Sequence, residues 1–419
     1  MDVELAMHRD NLARSLDLLR EGPSLTLSEL SELSGCSESI IGDCVRELLG
    51  CALIIDDGDA DEPAPPARAI SFCADGGIVL VADLGAFRTS VGAADLSGRL
   101  IDRRSGPTDL SGGPEPALAI LETLLKQLLL DLPTDAPARG IGIGVLGAVD
   151  SVSGRTLGEP LLAGWDRYPI RDRLASRFDV PVWVDNDVNM MAVGELKAGA
   201  ARGQHNLIYL NMSETIRAGI VSNGRLHRGE GGAAGEIGHV TVVEEPPIPC
   251  WCGGQGCLVR FAGGDVLAAS AALLAGRYGP LSDRIADHGH LTAHDVADAA
   301  RAGDPVGMEL ISRAGILTGK ALANLVNTFN PGQILIGGTL AAAGETLLTA
   351  IQNAVYQRAI PAATRQLEIQ YSPQSDTAAL LGAAHTVIDQ LLSRDILSVW
   401  SPHGSPTGLA AEIHQQQHQ

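Results

Sequence analysis

The chain has 419 residues, a hydrophobic share of 45% and a formal net charge of −20 at pH 7. That length exceeds one ordinary hydrophobic core, so two or three folded units are expected, and the charge excludes broad attraction to nucleic acid or anionic membrane. No apolar run is long enough to cross a bilayer, and the start Met1-Asp2-Val3-Glu4 carries acid where a secretory signal carries base, which points to a cytoplasmic protein with no membrane partner.

The first segment reads as three short helices. Leucines at 12, 16, 18 and 19 give residues 11–20 one apolar helical face, and Gly22-Pro23 stops it. Thr26-Leu27-Ser28-Glu29 is a capping box, in which each side chain satisfies an orphan backbone donor. That helix ends at Gly35, and Ser37 is the N-cap of a third helix running to about Leu49. Helix, short glycine-containing turn, helix is the helix-turn-helix pattern, and strands over 52–55 and 67–72 would form a wing. Between them Asp56 to Pro66 has no apolar period and reads as a loop or linker.

A different rhythm begins at Gly77. Strands are expected over 78–83, 88–94, 100–102, 139–145 and 180–184, with a helix over 117–132 and late helices over 309–328, 345–358 and 376–392. Strands alternating with helices indicate an α/β architecture. After Ser398 the chain turns to His, Gln, Gly, Ser and Pro and reads as a mobile tail.

Three groups of residues could carry chemistry. His239 with Cys250, Cys252 and Cys257 supplies one imidazole and three thiolates, which fill a tetrahedral zinc shell and leave no open position. Such a site is structural, and the glycines at 253, 254 and 256 permit the tight turns that converge the sulfurs. Cys36, Cys44, Cys51 and Cys73 are scattered and suit small buried hydrophobes. Asp185-Asn186-Asp187 follows a strand, where an α/β fold binds ligands. A carboxylate there can accept a proton from a substrate hydroxyl and an adjacent amide can hold the neighbouring hydroxyl; an Asx-rich turn capping the next helix is the equal alternative. Glu236 lies three residues before His239 in a glycine-dense segment, where a zinc-bound imidazole offers its second nitrogen to a hydroxyl or carboxylate.

In this order the motifs resemble the ROK family of sugar-responsive repressors and sugar kinases. They are the helix-turn-helix, Asp83-Leu84-Gly85, Gly142-x-Gly144, Asn186-Asp187, Gly235-Glu236-x-Gly238-His239, the cysteine cluster, Asn327-x-x-Asn330-Pro331 and Gly337-Gly338. The resemblance covers roughly residues 9 to 393 and implies an actin-like ATPase fold of two lobes behind a winged helix-turn-helix. It divides the chain into a head (1–60), a wing strand and linker (61–76), two lobes (77–187 and 188–375), a helix returning to the first lobe (376–395) and a flexible tail (396–419). It also implies that Asp187 stands where family kinases keep their catalytic base. Asn186, Asp187, Glu236 and His239 would contact sugar hydroxyls, and His239, Cys250, Cys252 and Cys257 would bind zinc.

Departures from the family pattern bear on function. Gly-Gly-Thr is replaced by Gly85-Ala86-Phe87, and Gly-Thr-Gly-Ile-Gly by Ser213-Glu214-Thr215-Ile216-Arg217. Phosphate cradles need small residues for close backbone approach, and a carboxylate facing phosphate in a partly desolvated site costs on the order of several kcal/mol. ATP is therefore not expected as a ligand. Two polar sugar ligands are also replaced, by Leu161 and Val259, and Arg217 could attract an anionic group.

The head is unusually acidic. Residues 1–60 hold thirteen acids against four arginines, a net of −9, and the wing arm reads Asp59-Ala60-Asp61-Glu62-Pro63. Ser37, Ser39 and Arg46 are the candidate DNA-contacting residues on the third helix, with Arg46 its one base. The expected function is a ligand-responsive transcriptional regulator sensing a sugar or sugar-like metabolite, as a homodimer or homotetramer, without kinase activity. The alternative is an enzyme repurposed from such a regulator, using Asp187 and Glu236 for acid/base work without ATP, for example in condensing an amine with a sugar-like aldehyde. An ATP-dependent sugar kinase is the third reading, and the altered loops weigh against it.

Overall fold

Short-range caps set the head. In the computed structural model, which describes residues 3–56, 68–158, 163–276 and 279–417, α1 (Val3–Glu21), α2 (Leu27–Ser34) and α3 (Glu38–Gly50) pack together. Thr26 closes the capping box: its Oγ1 accepts from Glu29 N–H at 3.2 Å, and the Glu29 carboxylate accepts from Thr26 N–H at 2.7 Å. Gly35 ends α2 in the left-handed conformation at φ 73, where a Cβ would be strained. Strands β1 (Leu25–Thr26), β2 (Ile54–Asp56) and β3 (Ala69–Phe72) form an antiparallel sheet in the order β1-β3-β2. The acidic arm Asp59-Ala60-Asp61-Glu62-Pro63 and Leu161 lie outside the described residues.

The chain forms two compact units: Met1–Leu157, Gly164–Asp185 and Ala383–Gln419 in one, Gly158–Ala163 and Asn186–Gly382 in the other. Besides the head, the first unit holds β4 (Ile78–Leu84), β5 (Arg88–Asp95), β6 (Leu100–Pro107), α4 (Pro114–Asp131) and β7 (Ala138–Val145). A two-residue ribbon follows, β8 (Val149–Asp150) with β9 (Arg155–Thr156), then α5 (Ile170–Phe178) and β10 (Val182–Asn186). Its sheet runs β10-β7-β4-β5-β6. Strand β4 is buried along nearly its whole length, as expected of a central strand covered on both faces.

The second unit repeats this plan. It starts with α6 (Asp187–Ala198), and β11 (Leu207–Met212), β12 (Ile216–Ser222), β13 (Arg225–Leu226), β14 (Gln333–Gly337) and β15 (Glu368–Tyr371) lie in the order β13-β12-β11-β14-β15. Counted along the chain, both sheets are ordered 3-2-1-4-5, with the first two pairings antiparallel and the third, between strands 1 and 4, parallel. Residues of β11 alternate between two cores. Ile208, Leu210 and Met212 join the large helical layer, while Leu207 and Tyr209 join Val188 and Ala192 of α6, the period of two that a strand imposes. The helical layer contains α7 (Val259–Ala262), α8 (Gly264–Leu274), α9 (Pro280–His288), α10 (Ala293–Arg301), α11 (Pro305–Phe329), α12 (Glu345–Arg358) and α13 (Pro361–Thr364).

Beyond α14 (Ala378–Leu391) the structure corrects the expectation of a flexible tail from 396 onward. Residues Arg394–Trp400 form α15 and Ala410–Gln416 form α16. Ile396, Leu397, Trp400 and Ile413 are buried, and Trp400 Nε1 donates to Leu391 O at 2.9 Å. Four anchors suffice to order a segment whose average composition is polar. No helix among the described residues is long and apolar enough to cross a membrane.

Candidate ligand site and metal centre

The first residues of β12 tie three of the sequence motifs together. Arg217 and Asp187 are both buried, 2% and 4% exposed, and Arg217 Nη2 donates to Asp187 Oδ2 at 2.9 Å. The next residue, Ala218, donates its N–H to Gly235 O at 2.8 Å. A Cβ on Gly235 would stand 1.8 Å from Ala218 O, so only glycine permits this approach. Gly219 in turn lies against the first turn of α6, where an added Cβ would be 2.5 Å from Val188 O. Glu236 is thereby held on the segment bonded to the strand that carries Arg217.

Asn186 is the N-cap of α6, its Oδ1 accepting from Val188 N–H at 2.9 Å. The same N–H reaches Asp187 Oδ1 at 2.7 Å. The capping role of this Asx turn is thus realised, and both carboxylate oxygens of Asp187 accept hydrogen bonds within the protein. Burial pushes the Asp187 carboxyl up from its ordinary value, opposed by the Arg217 guanidinium and the Val188 N–H. Sequence reasoning placed Arg217 as a lure for an anion; the structure gives it a carboxylate of the protein's own.

The altered second loop is closed by its own side chains. Ser213 Oγ accepts from Thr339 N–H at 3.0 Å and donates to Asn211 Oδ1 at 3.1 Å. Glu214 is half-buried, and burial pushes its carboxyl up, with Asp265 adding repulsion. Phe87, in the first unit, is 62% exposed at the turn between β4 and β5.

His239, Cys250, Cys252 and Cys257 converge, with one donor atom from each lying within 4.8 Å of the others. His239 Nδ1 is 3.6 Å from Cys250 Sγ, and the sulfurs of Cys252 and Cys257 are 3.7 Å apart. Burial pushes the Cys257 thiol up to about 12, whereas the Gly254 N–H pulls Cys252 down. These four residues could hold a metal ion, and one imidazole with three sulfurs is compatible with a closed, structural zinc site. Val259 is buried against Cys250 and Cys257.

In the head, Ser37 and Ser39 are exposed at the start of α3, and Ser37 makes no side-chain capping bond. Arg46 is exposed and ion-paired with Asp43, three residues earlier. Arg14 donates to Leu33 O at 2.9 Å, Arg20 lies 3.8 Å from Asp17 and 3.5 Å from Asp389, and Arg68 lies 3.3 Å from Asp56.

Residues 79–390 match the ROK family, and the chain belongs to it. A glucokinase of Halalkalibacterium halodurans is 32% identical over 311 residues, covering 74% of this chain and 94% of that one. A xylose repressor of Caldicellulosiruptor bescii is 28% identical over 383 residues, covering 90% of this chain and 95% of its own. Among solved structures, a ROK family transcriptional regulator described as a homolog of the Escherichia coli MLC protein superposes with a TM-score of 0.78 at 24% identity, over 94% of this chain and 99% of that one. A ROK family glucokinase from Streptomyces griseus, solved with glucose and AMPPNP, gives 0.63 at 26% identity over 74% of this chain and 99% of that one. The actin-like ATPase fold of the family is therefore the fold of this chain, and the repressor's match extends over the head as well as the lobes.

Proposed function

We propose that this chain is a ROK-type transcriptional regulator that responds to a sugar or sugar-like metabolite and transfers no phosphate from ATP. The observation that carries this reading is the buried ion pair between Asp187 and Arg217. A base for phosphoryl transfer must accept the substrate's hydroxyl proton. A guanidinium 2.9 Å from one oxygen and a backbone donor on the other engage both oxygens of that carboxylate within the protein instead. The loop that would cradle phosphate supports the same reading, because Ser213 already occupies the Thr339 N–H and Glu214 adds a carboxylate.

In this reading Asn186, Asp187, Glu236 and His239 form the ligand site, and Arg217 positions Asp187 from beneath it. Zinc on His239, Cys250, Cys252 and Cys257 holds the Gly235–His239 segment in shape. The regulator relatives support DNA as the head's partner, with Ser37, Ser39 and Arg46 as its contacts, in a cytoplasmic homodimer or homotetramer. The test is incubation with ATP and glucose, mannose or N-acetylglucosamine. No phosphorylated sugar is expected. Sustained turnover that disappears in Asp187→Asn would overturn the reading.

The paired arginines of the acidic head favour a second reading, in which the head serves assembly. Asp187 and Glu236 would then perform acid/base chemistry without ATP, and no promoter fragment would be retained.

A further inference from the structure

The segment after α15 contributes to neither sheet nor to the candidate site, yet it is bonded at both ends to elements that matter. At its start, Ser401 Oγ donates to Glu47 Oε1 at 2.6 Å and Ser401 O accepts from Cys51 Sγ at 3.3 Å. Glu47 is in the last turn of α3 and Cys51 is its C-cap. Toward its end, His414 Nε2 accepts the Val182 N–H at 3.1 Å, and its ring stands edge-on to Trp183 at 5.5 Å. Gly408 N–H also donates to Asp179 O at 3.1 Å. Val182 and Trp183 open β10, the strand that ends at Asn186 and leads directly into Asp187.

Between these attachments sits Arg139, 3% exposed. Its Nη2 donates to Cys51 O and to Gly76 O, both at 2.7 Å, its Nη1 to Gly404 O at 3.1 Å, and its guanidinium lies 5.6 Å over the Trp400 ring. A buried cation held by carbonyls is costly to leave partly satisfied. The end of α3, the connector at Gly76 and the strap at Gly404 therefore share one buried cation.

We propose that residues 401–417 form a strap coupling β10, which delivers Asn186 and Asp187, to the recognition helix α3, so that loss of order at one end loosens the other. Its meaning for regulation rests on the function proposed above, but the coupling itself is measurable without ligand or DNA. Coupling between two sites is reciprocal, and this sets the test: hydrogen exchange by mass spectrometry on the full-length protein. His414→Ala removes the acceptor for Val182. It should speed exchange several-fold in peptides covering 182–186 and, at the far end, in those covering 45–53. Ser401→Ala should do the reverse, reaching 182–186 from the α3 end. His414→Gln retains an acceptor and should restore protection at both ends, which separates the coupling from general loss of folding. Changes confined to the mutated end in both variants would overturn the proposal.

Discussion

Two segments that meet strand β12 have diverged in opposite directions. The Gly235–Cys257 region retains the glycines that let it approach the strand and a complete donor set within 4.8 Å. The Ser213–Arg217 loop has none of the glycines found in family kinases, and its Ser213 side chain bonds to Asn211 and to the Thr339 N–H. One segment keeps a close backbone approach and a convergent donor set, whereas the other closes on itself through side chains. The difference teaches that, on the function proposed above, the two loops would answer to different demands, one for shape and one for phosphate.

The sharpest way to break that comparison is through the metal. One zinc per chain should survive dialysis, and Cys252→Ser should abolish it together with solubility, because binding to such sites is worth on the order of 10 kcal/mol of folding free energy. A metal-free yet fully folded wild type would remove the retained half of the comparison. The next largest effect concerns the lost half. Arg217→Ala leaves Asp187 buried beside no guanidinium and should cost about 3–5 kcal/mol in denaturant unfolding. The double variant Arg217→Ala with Asp187→Asn should recover part of that loss, as coupled neighbours do. A near-neutral Arg217→Ala would mean that the buried pair does not hold the site as described above. The smallest stability effect belongs to the head. Arg46→Ala removes only an exposed pair with Asp43 and should change stability by about 0–1 kcal/mol, while abolishing retention of the protein's own promoter fragment.

What was legible in the sequence follows the range of the interactions. The capping box at Thr26 and Glu29 and the left-handed Gly35 act within three residues, so the helices of the head could be placed from sequence. Strands β4 and β7 announced themselves as apolar or glycine-rich runs, whereas β6 was placed only over 100–102 because Asp102, Arg103 and Arg104 break its apolar pattern. The His/Cys cluster was readable because three of its four residues fall within eight positions. Arg217 was not, since its partner Asp187 lies 30 residues away and a lone arginine in a strand carries no mark of burial. The tail misled for a different reason. Ile396, Leu397, Trp400 and Ile413 are few, and averaging them with His, Gln and Ser hides anchors that are each fully enclosed. The apolar run Leu207–Met212, buried throughout, was a signal available for the second sheet that the motif-led reading passed over.

The proposal that the acidic head of this ROK family chain binds DNA is tested most directly by a mobility-shift titration. The protein's own promoter fragment should be run against an unrelated fragment from low to physiological salt. The account predicts sequence-dependent retention that is clear at low salt, weakens with only a shallow slope as salt rises because few cations face the phosphates, and vanishes in Arg46→Ala. Absence of any sequence-dependent shift at every salt concentration would contradict it.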